Sequence, residues 1–213
     1  MRKLEREFYS RSAIDVAMDI LGKYLVHRAG DGQELTAKIV ETEAYMGPDD
    51  KAAHSYNNRR TKRTEVMFGP PGYAYVYLIY GMYYCMNIVA AETGIPQAVL
   101  IRALEPVEGM TRMAELRYQK SLLDCSKREI LGLTNGPGKL CQAMSINKYN
   151  NGQDLCDSNL FLLNTETAPK DDDIVTTTRI NIGYAKEAIH FPYRFYIDNS
   201  SYVSVRDRSR KHG

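Results

Sequence analysis

The sequence predicts an α+β fold: a single compact domain, with a curved, mainly antiparallel sheet flanked by helices and carrying a protruding β-hairpin. Three observations predict it. Strand-like alternation recurs in short runs, turn signals between runs close hairpins, and helical periodicity is confined to a few segments. A chain of 213 residues buries a substantial core, and one domain spanning 1–213 is the default at that length.

The first helix starts at Ser12-Ala-Ile-Asp15, a capping-box-like signal, and Ile14, Ala17, Met18 and Leu21 continue at helical spacing until Gly22 stops it. Residues 23–28 form a strand, 29–32 a turn and 35–45 a second strand, together a hairpin that leaves through the turn-rich Met46-Gly-Pro-Asp49. A second hairpin follows. Six tyrosines lie between Tyr73 and Tyr84 in a chain without tryptophan, and Tyr73, Tyr75 and Tyr77 alternate with apolar residues. Gly81 suits the first central position of a type II′ turn over Tyr80-Gly-Met-Tyr83, with the returning strand running to Val89. Residues 98–103 read as an apolar strand that delivers Arg102, 107–120 as an amphipathic helix, and 140–145 as a helix behind Gly136-Pro-Gly-Lys139. In the last part, Arg194-Phe-Tyr-Ile197 and Tyr202-Val-Ser-Val205 read as short strands.

Composition excludes several classes. No apolar run approaches the roughly eighteen residues of a membrane span, and Met1-Arg-Lys-Leu-Glu-Arg-Glu lacks a signal peptide's apolar stretch. A cytoplasmic protein, or a nuclear one in a eukaryote, is expected. Cys85, Cys125, Cys141 and Cys156 form no Cys-x-x-Cys pair, so a zinc or iron–sulfur site is not expected. Net charge is only +2, but the basic residues cluster: Arg59-Arg-Thr-Lys-Arg63 is one run and Arg206 to Lys211 another. Each is either a solvated segment or a contact for phosphates.

Chemistry concentrates in three places. Alternation in Ile39-Val-Glu-Thr-Glu-Ala-Tyr45 puts Glu41, Glu43 and Tyr45 on one strand face. That face is either solvated or lines a cleft, in which Glu43 could hold and deprotonate a water. His54 is close enough in sequence to return to the same cleft, or is structural. The tyrosine hairpin either packs as strands do or offers rigid flat rings for stacking nucleobases. The glycines before Lys139 form either a phosphate cradle or an ordinary loop.

Glu41-Thr-Glu-Ala-Tyr-Met-Gly-Pro48, Ala52-Ala-His-Ser55, Tyr75-Val-Tyr-Leu-Ile-Tyr-Gly-Met82 and Cys85-Met-Asn87 together resemble the alkyladenine (3-methyladenine) DNA glycosylase family. Leu100-Ile-Arg-Ala-Leu-Glu-Pro106, Gly136-Pro-Gly-Lys-Leu-Cys-Gln-Ala143, Arg194-Phe-Tyr196 and Val203-Ser-Val205 extend the likeness, in order, over nearly the whole chain. The resemblance implies a single-domain, monofunctional base-excision enzyme. It would flip alkylated or deaminated purines (3-methyladenine, 7-methylguanine, hypoxanthine) from duplex DNA, hydrolyse the bond to deoxyribose and leave an abasic site. It further implies that Glu43 is the water-activating base and Arg102 its partner. Tyr45, His54 and Tyr77 would surround the extruded base, Tyr80 would enter the minor groove, and Asn87 would crowd the exocyclic amino group of guanine. Arg59, Arg60, Lys62, Arg63, Gly138 and Lys139 are candidates for the DNA backbone. No metal or cofactor is expected, and one extruded base requires only a monomer.

Physical chemistry is consistent with these roles. Water cannot reach the glycosidic carbon inside the stack, so extrusion precedes chemistry at a cost of a few kcal/mol, and aromatic stacking returns about 1–3 kcal/mol per base. Alkylation at N3 or N7 makes the purine cationic, favouring aromatic faces and making it a good leaving group without protonation. One carboxylate then suffices, unlike ordinary glycoside hydrolysis. Competing readings are a non-catalytic module that stacks single-stranded bases on the tyrosine sheet and a hydrolase of free nucleosides.

Overall fold

The structure is a computed structural model that describes residues 1–30, 32–165 and 169–207. Part of the 29–32 turn and most of the 206–211 basic run lie outside the described residues. A four-residue turn of helix, α1 (Arg6–Tyr9), precedes α2 (Ala13–Asp19), which Ser12 caps by accepting the Ile14 N–H at 3.2 Å. α2 buries Val16, Ala17 and, just beyond its end, Ile20 against the sheet. The Thr42 hydroxyl donates to the Ala17 carbonyl at 2.8 Å and ties the helix to the central strand.

β1 (Tyr24–Arg28) and β2 (Glu34–Tyr45) form the first hairpin. β3 (Ala74–Ile79) and β4 (Tyr83–Ala90) form the tyrosine hairpin, and β5 (Gln97–Glu108) pairs with both β4 and β2. α3 (Met110–Tyr118), α4 (Lys127–Leu131) and α5 (Pro137–Ala143) follow. β6 (Leu160–Leu163), β7 (Ile174–Thr177) and β8 (Arg194–Ile197) complete, among the described residues, an eight-stranded sheet whose strands pair antiparallel. The path runs β3-β4-β5-β2-β1-β6, while β8 joins β2 beyond β1 and carries β7. β2 is therefore flanked on both edges throughout, first by β1 and β5, then by β8 and β5. Its second half is buried for that reason.

A paired irregularity in β2 and β5 creates the site. Ile39 faces Leu104, Glu41 faces Ala103 and Thr42 faces Ile101, so Val40 and Arg102 are each passed over in the register. An extra residue reverses the facing of everything beyond it. Ala37, Ile39 and Leu104 thus point into the main core, as do Thr42's neighbour Ala44 and Ile101 on the far side of the bulge. Glu41, Glu43, Tyr45, Leu100 and Arg102 are released to the opposite face.

Several expectations need correction. β5 runs through Pro106 to Glu108, where a helix was expected from residue 107; α3 begins only after Gly109, whose φ of +79° breaks the chain direction. A Cβ there would meet Leu35 Cδ2 at 2.6 Å as well. The hairpin turn is centred on Tyr80 and Gly81, with φ of +53° and +69°, and closes by Met82 N–H donating to the Ile79 carbonyl at 3.2 Å. Positive φ at both central positions marks a type I′ turn, one residue earlier than the II′ turn expected. Residues 202–205 are not a strand, because Ser204 gives its N–H to a buried carboxylate rather than to a ladder. α5 starts at Pro137 rather than Leu140, Pro137 losing no useful N–H in the first turn.

Candidate active site

Glu41 and Glu43 are both entirely buried, which rules out the solvated-face reading. Glu41 accepts from Arg194 Nη1 at 2.9 Å, Arg102 Nε at 3.2 Å, Ser204 N at 2.7 Å and Ser204 Oγ at 3.0 Å. Glu43 has a different set: the Tyr45 hydroxyl at 2.8 Å, the Ile180 N–H at 2.8 Å, and Arg102 Nη1 at 3.3 Å. Among the described residues, each of these partners is a donor, as an acceptor-only carboxylate requires. Arg102 is raised above its ordinary basicity: burial opposes its charge, and Glu43 and Glu41 outweigh that.

Tyr45, Arg102 and Ile180, all in contact with Glu43, line a cleft of about 700 Å³ together with His54, Tyr77 and Tyr80, while Glu43 itself lies behind them and outside the lining. A smaller recess of about 40 Å³ adjoins it, sharing Tyr45, His54 and Tyr77 and adding Asn87. The Tyr77 ring packs edge-on to His54 at 4.6 Å between centroids and lies 5.2 Å from Tyr75. His54 Nδ1 is 3.0 Å from the Tyr75 hydroxyl. Burial, then Arg63 and Arg59, lower the His54 pKa to about 4, so the imidazole is neutral near pH 7. Burial raises the Tyr45 and Tyr77 phenols, with Glu43 adding to the shift at Tyr45. Both remain protonated donors. Asn87 is buried and donates from Nδ2 to the Tyr75 carbonyl at 3.2 Å, which fixes its amide at the recess. Tyr80, 77% exposed at the hairpin tip, stands at the rim.

The structure thus brings Glu43, Arg102, Tyr45, His54, Tyr77, Asn87 and Tyr80 to one place. The basic run divides. Arg59 and Arg63 line the cleft, and Arg63 lies over the Tyr77 ring at 4.8 Å. Arg60 turns back to Glu65, at 2.6 Å, and covers Phe68. Lys62 is exposed and outside the cleft lining. Gly138 lines the cleft and approaches Tyr83 so closely that a Cβ would sit 3.0 Å from that side chain's Cβ. Lys139 bonds to Asn135 Oδ1 at 2.8 Å.

Sequence reasoning missed Arg179, Asp50 and Tyr184. Arg179 is buried beneath the site, donating from Nη2 to Asp50 Oδ1 at 2.7 Å and from Nη1 to the Ala44 carbonyl at 2.9 Å. Its guanidinium lies 4.8 Å from the Tyr45 ring centre. Tyr184 borders both cleft and recess and donates to the Ala52 carbonyl at 3.2 Å. These partners lie more than 120 residues apart, and no local pattern announces them.

Among the described residues, no helix is long and apolar enough to cross a membrane. The family model for methylpurine-DNA glycosylase matches residues 7–201. A provisionally named 3-methyladenine DNA glycosylase of Alkaliphilus oremlandii is 57% identical over 202 residues, covering 95% of this chain and 98% of its own. Similarly named proteins of Desulfitobacterium hafniense and Bacillus cytotoxicus are 55% and 51% identical, over 97% and 92% of this chain and 100% and 97% of theirs. With that match along almost its whole length, the chain belongs to the methylpurine-DNA glycosylase family, hydrolases acting on N-glycosyl bonds.

Proposed function

We propose that this protein excises alkylated and deaminated purines from duplex DNA as a monofunctional, monomeric glycosylase, using water activated by Glu43. One observation supports the reading: the buried Glu43 carboxyl, held among the described residues by donors, contacts Tyr45, Arg102 and Ile180, which line the same cleft as His54 and Tyr77. The purine leaves the stack while Tyr80 fills its place, and its ring stacks on Tyr45 and Tyr77. Neutral His54 offers polar contact without a charge that would repel a methylated, cationic purine. Asn87, pinned at the recess, is positioned to crowd the amino group of guanine.

The water takes a position beside the Glu43 carboxylate, with Arg102 orienting that carboxylate from the side. As the glycosidic bond breaks, Glu43 accepts the water's proton, the oxygen bonds to the sugar carbon, and the bonding electrons depart with the base. A base already positive leaves as a neutral molecule, whereas hypoxanthine leaves as an anion and takes a proton from solvent water. The test is a duplex with a single 7-methylguanine or hypoxanthine. Glu43→Gln binds it and releases base at least about 100-fold more slowly, the scale of general-base catalysis. Undiminished release by that variant would refute the mechanism.

A further inference from the structure

We propose that Arg63 is a displaceable plug of the base pocket, stacked on Tyr77 while the pocket is empty and exchanged during extrusion for the purine, its guanidinium moving to a phosphate of the same strand. The inference rests on the proposed function and adds a residue that governs access to the pocket.

The Arg63 guanidinium carbon lies 4.8 Å from the Tyr77 ring centre, on the ring that the purine is to cover. Burial raises the Tyr75 phenol and the nearby Arg63 charge works against that shift, so the guanidinium sits close to a second pocket tyrosine. The cleft that Arg63 lines, about 700 Å³, has room for a purine, so what the arginine blocks is the stacking face of Tyr77 and not the volume. A purine stacked on that face would take the guanidinium's place, so the seat has to be vacated. A guanidinium is planar, cationic and stacks on aromatic faces, so it imitates an alkylated base in shape and charge. It keeps a sticky aromatic slot covered between encounters.

The chain around Arg63 allows the exchange. Thr64 is buried and its hydroxyl donates to the Arg59 carbonyl at 2.9 Å, while its N–H reaches back to Thr61, so the backbone turn is anchored. Arg63 itself is exposed. Rotation about its own side-chain bonds frees the guanidinium without unfolding the turn. An extruded nucleotide remains attached to its flanking phosphates, which must therefore lie at the pocket mouth. Arginine is well suited to receive them in a bidentate contact. Arg60, engaged with Glu65, is less free to do so.

The test compares the intact protein with Arg63→Ala and with Arg63→Met, which keeps the aliphatic stem. Binding of the free base 3-methyladenine, without DNA, should tighten by roughly two- to thirty-fold in both variants, the span of a guanidinium–ring contact. Binding to a lesion duplex should weaken, and the slope of log affinity against log salt should fall by about one phosphate contact. Unchanged or weaker free-base binding in well-folded variants overturns the plug, and an unchanged salt slope overturns the phosphate contact. If the unaltered protein neither binds the free base nor releases it from DNA, the proposed function fails and the plug fails with it. If the unaltered protein does both and the variants match it, only the plug fails.

Discussion

Removing Arg179 should cost far more stability than an arginine usually does, because it strands a buried carboxylate. The Arg179 and Asp50 side chains are 0% and 1% exposed. Asp50 also accepts the N–H groups of Met46 and Ala52, both at 3.0 Å, so it organises the turn that leaves β2 toward His54. In Arg179→Leu the carboxylate keeps those two donors and loses its counter-ion, a change worth about 3–5 kcal/mol. The guanidinium also packs on Tyr45 and on Tyr193, at 4.8 and 5.3 Å. For a chain of this length the destabilisation corresponds to a drop in melting temperature of roughly 6–20 °C. Adding Asp50→Asn removes the stranded charge while preserving an acceptor for the backbone. The double variant should therefore be more stable than Arg179→Leu alone. Thermal and urea unfolding of the two single variants and the double measure the coupling. A melting temperature for Arg179→Leu within about 2 °C of the parent, or strictly additive losses, would refute the reasoning.

Two further outcomes follow from local geometry. Tyr80 holds a left-handed backbone conformation, φ +53°, with a side chain 77% exposed, so Tyr80→Gly should leave stability within about 1 kcal/mol of the parent while weakening lesion-duplex binding. A larger loss of stability, or equal lesion affinity, would contradict this. His54 should titrate near pH 4 by NMR, with burial the main cause and Arg63 the next. Its folded pKa lies below the unfolded value near 6.5, so the unfolded chain binds the extra proton first. Stability should then fall as pH drops from about 6.5 toward 4, by no more than about 3 kcal/mol, and His54→Gln should remove that component from urea midpoints measured across the range.

Much of this fold is legible because its strands alternate cleanly and its hairpins are local. The pairing of β1 with β2 and of β3 with β4 follows from short-range pattern and turn chemistry. That Glu43, Tyr45, His54, Tyr77, Tyr80, Asn87 and Arg102 come together follows from the resemblance more than from pattern, since alternation alone leaves the Glu43 face either solvated or lining a cleft. The decisive fact, that β8 closes over the second half of β2, is a pairing between residues about 150 positions apart. The double bulge at Val40 and Arg102 was equally invisible, because an inserted residue leaves composition unchanged and shows only in the partner's register. Ser204 looked like a strand residue. Its N–H serves Glu41 instead, a demand set by a charge 163 residues away.

The buried charges form a chain with direction, and that direction bears on catalysis. Contacts run from Arg194 to Glu41, from Glu41 to Arg102, and from Arg102 to Glu43, so alternating signs end on the carboxylate beneath the cleft. The four formal charges cancel, yet a positive centre forming above Tyr45 and Arg102 meets the terminal anion of that series. At about 4 Å, with the effective dielectric found near protein surfaces, one such carboxylate contributes on the order of 4 kcal/mol, reduced by the Arg102 guanidinium beside it. The proposed reaction develops positive charge on the sugar, and an alkylated base brings its own, so both gain from the same anion. Glu43→Gln removes the proton acceptor and also leaves the series with a net positive charge. Glu43→Asp separates the two effects: it keeps the sign of the series while withdrawing the acceptor by one methylene. If the field carries much of the catalysis, Glu43→Asp should retain substantially more activity than Glu43→Gln. If proton transfer at fixed geometry carries nearly all of it, the two variants should fall together.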